Sequence, residues 1–264
     1  MNQRFNLAYL DFKGSLKFWR VWLLFGWQDI RLRYRRSYLG PWWLTMSMLV
    51  TILCLGFLYG TLLNQPLDEY LPFLAIGLVT WSFIASLVSE GSNIFIESSS
   101  YLKQMSLPYS VFLLRMLVRN AIIFFHNIIP VIFLLIFFST KLSLALLILP
   151  LSILVILING FCYGWILGIL GARFRDLQPI IASLMQIAFF LTPIIWSPKT
   201  LSEKYQFLVK YNPFAQFLDL IRQPLLGEWP TTYSWLFVLS VTLIGIVMMV
   251  LLIKRTRTRI IYWL

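Results

Sequence analysis

The sequence predicts an all-α membrane protein of six transmembrane helices, with an N-terminal amphipathic helix along the membrane interface and short re-entrant outer helices between spans five and six. Three observations predict it. Of 264 residues, 59% are hydrophobic and only 12% are charged, too few charges to clothe a water-facing surface. Mean hydropathy is +0.80, and the apolar residues gather in runs of about 20, the length that crosses a bilayer. The formal net charge is +12, and the basic residues collect on one side of a six-span arrangement.

Residues 1–41 read as a cytoplasmic N-terminus and 42–264 as a single transmembrane domain. The first 14 residues are polar and mixed, without the basic, apolar and small-residue succession of a cleavable signal. Over 15–38, Leu16, Trp19, Leu23, Trp27, Ile30 and Tyr34 recur at three- and four-residue steps, the period of an amphipathic helix. Arg31, Arg33, Arg35 and Arg36 crowd its end. Alone, such a cluster suits nucleic acid. Ahead of Gly40-Pro41 and an apolar run, it is expected at the cytoplasmic headgroup layer, with membrane lipid and not nucleic acid as its surroundings.

Proline suits a first helical turn and the residue before it resists the α region, so Gly40-Pro41 turns sharply into span one, 42–63. The remaining spans are expected at 71–93, 111–138, 142–171, 179–197 and 232–253. A polar connector occupies 97–110, and "ARFRDLQ" (172–178) separates spans four and five. The segment 198–231 is too broken by Pro213, Pro224, Gly227 and Pro230 to span, yet Phe207, Phe214, Phe217 and Ile221 make it apolar. Two short helices dipping back toward the membrane fit it.

With the N-terminus inside, Arg4, Lys13, Lys17, Arg20, Arg31, Arg33, Arg35, Arg36, Lys103, Arg115, Arg119, Arg173, Arg175, Lys254, Arg255, Arg257 and Arg259 face the cytoplasm. Lys141, Lys199, Lys204, Lys210 and Arg222 face outward. Five or seven spans would export the C-terminal "KRTRTR", against the positive-inside rule.

No phosphate-binding loop, nucleophile elbow, zinc-protease motif or metal-ligand cluster occurs. Cys54 and Cys162 sit in apolar runs and are expected as small core residues. His126, beside Asn127, reads first as a helix-packing hydrogen bond. The acids fall mostly at membrane edges, where a proton-coupled carrier has little use for them. Glu90 is the one candidate, and it could instead pair with Arg115 or Arg119, which share a helix face at i, i+4. Gly160, Gly164 and Gly168 recur at four-residue steps, with Gly171 following, and let another helix come close. The 11 Trp and 12 Tyr suit interfacial belts, with a surplus able to stack on sugar rings along a pathway.

Four stretches, in order along nearly the whole chain, resemble the membrane subunit of type 2 ABC exporters for polysaccharides. "WQDIRLRYRRSYLGPWW" (27–43) is similar to the family's basic interfacial helix and Leu-Gly-Pro-x-Trp lead into span one. "YLKQMSLPYSVFLLR" (101–115) is similar to its connector between spans two and three. "GARFRDLQPIIASLMQIAFFLTPIIW" (171–196) carries its Arg-Asp-Leu turn and later Thr-Pro. "YNPFAQFLDLIRQPLLG" (211–227) carries its Asn-Pro … Arg-x-x-Leu-x-Gly outer segment.

The resemblance implies a half-transporter that is not itself an enzyme and holds no cofactor or metal. Two copies would form the channel, and two separate ATPase subunits would bind ATP and Mg. Residues 97–110 would be the coupling helix seated on the ATPase, through Tyr101, Lys103 and Pro108. Arg173 and Asp176 would add a second contact or else pair with each other. Asn212, Pro213 and Arg222 would belong to an outer gate. The expected cargo is a lipid-diphosphate-linked glycan, most of all O-antigen, exported across the bacterial inner membrane; capsule, teichoic acid or another lipid or drug is the alternative. Arg31, Arg33, Arg35 and Arg36 would meet its diphosphate, since guanidinium presents fixed donors to phosphate oxygens.

Overall fold

The computed structural model describes residues 2–35, 38–40, 42–140, 143–198 and 201–264, with side chains from Leu10 onward. Arg36, Pro41, Lys141 and Lys199 lie outside the described residues. Lipid offers a backbone no hydrogen-bond partner, so a chain within it must satisfy its own amides and carbonyls. The described residues accordingly form helices and turns, with no strand among them.

The amphipathic helix expected over 15–38 is two helices, α1 (Asn2–Lys17) and α2 (Trp19–Arg33). They part at Phe18, where the Ser15 carbonyl accepts both from Phe18 N (3.1 Å) and from the Trp22 indole (3.1 Å). That tight turn ends α1 and redirects the chain. α2 exposes Trp19, Leu23, Leu24 and Trp27 and lays its buried Gly26 against Val118 and the Arg115 carbonyl.

Gly40 takes a left-handed φ of 57°, which glycine adopts without a Cβ penalty, and α3 (Trp42–Leu62) follows. Its buried residues, Thr45, Ile52, Gly56 and Gly60, form one stripe. Cys54 lies off that stripe and is exposed, contrary to its expected place in the core; Cys162 is buried. A turn with Asn64 at φ 49° leads into α4 (Leu67–Glu97), about 46 Å long at 1.5 Å per residue. α4 is the central helix, and 72% of its most apolar stretch is buried. α5 (Ser99–Gln104), α6 (Ser110–Phe137), α7 (Leu149–Arg173), α8 (Leu177–Leu191), α9 (Gln206–Lys210), α10 (Pro213–Leu225), α11 (Thr232–Thr256) and α12 (Ile260–Trp263) complete the chain.

Among the described residues, five helical stretches are long and apolar enough to cross a membrane: Trp42–Leu62, Leu67–Gln104, Ser110–Phe137, Leu144–Arg173 and Thr232–Trp263. Where a span was expected at 179–197, α8 has only 15 residues, about 22 Å against a hydrocarbon layer of about 30 Å. It stops at Thr192-Pro193 because proline donates no hydrogen bond and holds the residue before it out of the helix.

Gly160, Gly164 and Gly168 are buried along the face of α7 turned to α4 and α6. A Cβ on Gly91 of α4 would come within 2.9 Å of Gly164 Cα, and a methyl on Gly171 would enter the Ser92 carbonyl. Backbone, unlike a side-chain tip, cannot swing aside. Gly171→Ala is therefore expected to lower the melting temperature of the detergent-purified protein, at a cost of about 1–3 kcal/mol. Gly245→Ala, which meets only the edge of the Tyr163 ring, should cost less; equal melting temperatures would refute the close α4–α7 contact.

Candidate functional site: the two ends of the helix bundle

The bundle has two chemically different ends. At one, α1, α2, α5, the α7–α8 turn and the C-terminus come together. At the other lie the α3–α4 turn, the break after α8, and α9–α10.

The first end is organised by Asp11, whose side chain is 1% exposed. The start of a helix leaves backbone N–H groups without partners, and an acid there supplies an acceptor and complements the dipole. Asp11 does this from a distant helix: it accepts from Tyr109 N (3.1 Å), Ser110 N (3.0 Å) and the Ser110 hydroxyl (2.7 Å) at the start of α6. Arg257 donates to the same carboxylate at 3.0 Å. Gly14, three residues on, lets Pro108 approach, where a Cβ would meet the ring at 3.1 Å. Burial raises the pKa of the Tyr109 hydroxyl, with Arg257 pulling it down and Asp11 pushing it up.

The connector is thus gripped from both chain ends. Within it, Tyr101 and Lys103 are exposed, Pro108 is half-buried, and a notch of about 250 Å³ lies between Leu102–Leu107, Tyr109 and Ile261. Arg173 and Asp176 are exposed and make no ion pair with each other. Arg173 lies over the rings of Phe174 (5.1 Å) and Trp263 (5.7 Å) instead. Arg31, Arg33 and Arg35 are exposed at the end of α2.

A second polar cluster ties α2 to α6 and α4. Asp29 accepts from Arg115 Nε (2.8 Å) and Nη2 and from Arg119 Nη1 (3.0 Å). Arg119 Nη2 reaches Glu90 at 2.7 Å, and Asn120 donates to the same oxygen. Glu90 therefore pairs with Arg119, one of the two partners weighed for it. Arg115 also lies over Phe25 (5.5 Å) and Tyr101 (5.8 Å), so α2 and the connector meet on one guanidinium. Sequence reading passed over Asp11 and Asp29. The available signal was that they are the only acids in the first 67 residues.

His126 Nδ1 lies 2.9 Å from the Ile122 carbonyl of its own helix; the link between helices runs from Thr45 Oγ1 to the His126 carbonyl (3.2 Å). Farther along, α4, α7, α8, α10 and α11 enclose an apolar cavity of about 560 Å³ beside Leu87, Met185, Phe214 and Phe217. The cavity lies between α7 and α8, and only Met185 of α8 is buried.

At the other end Asn212 caps α10, its Oδ1 accepting from Phe214 N (2.9 Å) and Ala215 N (3.4 Å), with Pro213 at the first helical position as capping favours. Arg222, expected among the outward-facing basic residues, is 2% exposed and donates to the Pro193 carbonyl at 2.7 Å. Gln216 joins this end to α9 and α11: it donates to Val209 O (3.1 Å) and Lys210 O (3.0 Å) and accepts from the Ser234 hydroxyl (2.8 Å).

Long apolar helices exposing large hydrophobic side chains, with charge gathered toward the ends of the bundle, define a multi-pass membrane protein. The chain belongs to the ABC-2 type transporter family, which matches residues 20–226. It is similar to two proteins of Klebsiella pneumoniae named O-antigen export system permease protein RfbA. One is 26% identical over 224 residues, 84% of this chain and 85% of the relative; the other is 25% identical over 216 residues, 81% and 83%. A Myxococcus xanthus protein of the same name is 22% identical over 193 residues, 72% and 74%.

Proposed function

We propose that this chain is the transmembrane subunit of an ATP-driven exporter that carries a lipid-linked O-antigen polysaccharide out across the bacterial inner membrane. The carrying observation is the similarity to O-antigen export permeases over four-fifths of the chain. In this reading α8 and the break behind it are the fifth of six crossings, both termini are cytoplasmic, and α9–α10 form a re-entrant outer gate. Two copies assemble with two ATPase subunits, which hold ATP and Mg. The exposed connector around Tyr101, Lys103 and Pro108 is the ATPase seat, and the neighbouring Arg173 and Asp176 belong to the same face.

ATP-driven closure would press the connector. Because Asp11, itself held by Arg257, accepts from the first turn of α6, that push passes into α6 and, through Arg115, into α2. Arg31, Arg33, Arg35 and Arg36 would meet the diphosphate of the lipid carrier by charge-assisted hydrogen bonds.

Deleting the gene should strip O-antigen from the cell surface and trap lipid-linked polymer on the cytoplasmic side; normal surface O-antigen after deletion sinks the reading. Neutralising the four arginines together should slow export at least about tenfold, the worth of about 1.4 kcal/mol of headgroup binding. Unchanged export by a correctly inserted variant would remove the diphosphate role.

A further inference from the structure

Thr192 N closes the last helical turn on Ala188 O (2.9 Å), and the chain then runs without helical hydrogen bonds through Pro193, Ile194 and Ile195. Free carbonyls at membrane depth are costly unless protein satisfies them. Alternate carbonyls here are taken by side chains from other helices. Leu191 O accepts from Asn212 Nδ2 (3.3 Å), Pro193 O from Arg222 Nη1 (2.7 Å) and Ile195 O from the Tyr70 hydroxyl (2.7 Å). Asn212 Nδ2 also reaches the Thr192 hydroxyl at 3.0 Å.

Arg222 is not held as an ion pair. Its Nε and Nη2 have no acceptor among the described residues. The guanidinium lies 3.9 Å over the Phe73 ring, and Nη2 fills the space that a Cβ on Gly77 would occupy. What fixes the group is shape together with one carbonyl. The same α10 is tied to α11 through Gln216 and Ser234.

We infer that Arg222, Asn212 and Tyr70 are positioning residues that weld the end of α8 to α10 and the outer turns of α4, so this part of each subunit moves as one body during export. The inference rests on reading α9–α10 as the outer gate. Opening then takes place between the two copies, not by α10 swinging out of its own subunit.

A staple tests it. In a Cys54→Ala/Cys162→Ala background of the assembled, reconstituted transporter, Lys210→Cys and Tyr233→Cys are joined by a short thiol crosslinker. These positions already touch, the Tyr233 hydroxyl donating to Lys210 O at 3.1 Å. Export is expected to stay within about twofold on crosslinking; a loss of about tenfold or more shows that the gate moves separately and overturns the inference. The weld itself is read from glycan exported per ATP hydrolysed, a ratio that a smaller amount of folded protein does not change. Arg222→Lys loses the planar stack and Gly77→Ala displaces Nη2, so each should lower the ratio about fivefold, and the double variant should be no worse than either alone. Independent, multiplying losses or an unchanged ratio would overturn the weld. Labelling of Tyr211→Cys by an impermeant thiol reagent from the outer face supports the gate placement. Labelling from the cytoplasmic face alone overturns that placement, while the staple and the double variant still decide the weld.

Discussion

Asp11→Ala should unfold the end of the bundle where α1 meets α6, at a cost of about 3–5 kcal/mol, the usual loss when one partner of a buried charge pair is removed. The size follows from what the carboxylate serves: two buried backbone amides, a buried hydroxyl and a partly exposed guanidinium. Each buried donor left without an acceptor costs about 1–3 kcal/mol. Asp11→Asn keeps one oxygen and should lose less. Arg257→Ala should be milder still, because Arg257 is 25% exposed and the helix cap survives it. Melting temperatures of the three variants in nanodiscs give the ranking; a harmless Asp11→Ala would mean that the start of α6 does not depend on α1.

Arg119→Leu is expected to cost a similar amount, about 3–5 kcal/mol, and to loosen α2 from the bundle. Arg119 is 12% exposed and bridges Asp29, 13% exposed, to Glu90, 23% exposed. Without it Asp29 keeps Arg115, but Glu90 retains only the Asn120 amide. Removing the stranded acid as well should recover stability, so Arg119→Leu/Glu90→Leu should be about 1–3 kcal/mol more stable than the sum of its single changes. Thermal denaturation of all four proteins closes the cycle. Strictly additive losses would falsify a direct Arg119–Glu90 interaction.

Local rules made much of this fold legible. Span one was expected at 42–63 and α3 occupies 42–62, because a composition shift and a Gly-Pro turn both mark its start. The Gly160-Gly164-Gly168 ridge was visible as spacing; that Gly91 and Ser92 of α4 receive it was not, since spacing on one helix does not name the other. The 179–197 run read as continuous because hydropathy counts side chains and is blind to carbonyls. Pro193 breaks the helix, and Tyr70, Asn212 and Arg222, distant in sequence, satisfy the carbonyls that the break leaves. Asp11 was illegible for a related reason: its partners lie 98, 99 and 246 positions away. Cys54 shows the converse limit. An apolar run in a lipid-facing helix does not say which side of the helix is turned inward.

The Asp11 cluster also sets a timetable. Its carboxylate is made first, its cap site 98 and 99 positions later and Arg257 246 positions later. At about 5–20 residues per second, Asp11 waits on the order of ten to fifty seconds for its last partner. Until then Asp11 lacks that guanidinium, and a chain cut short before Arg257 never receives it. Closure of this cluster therefore waits on the synthesis of a residue 246 positions beyond the carboxylate it completes.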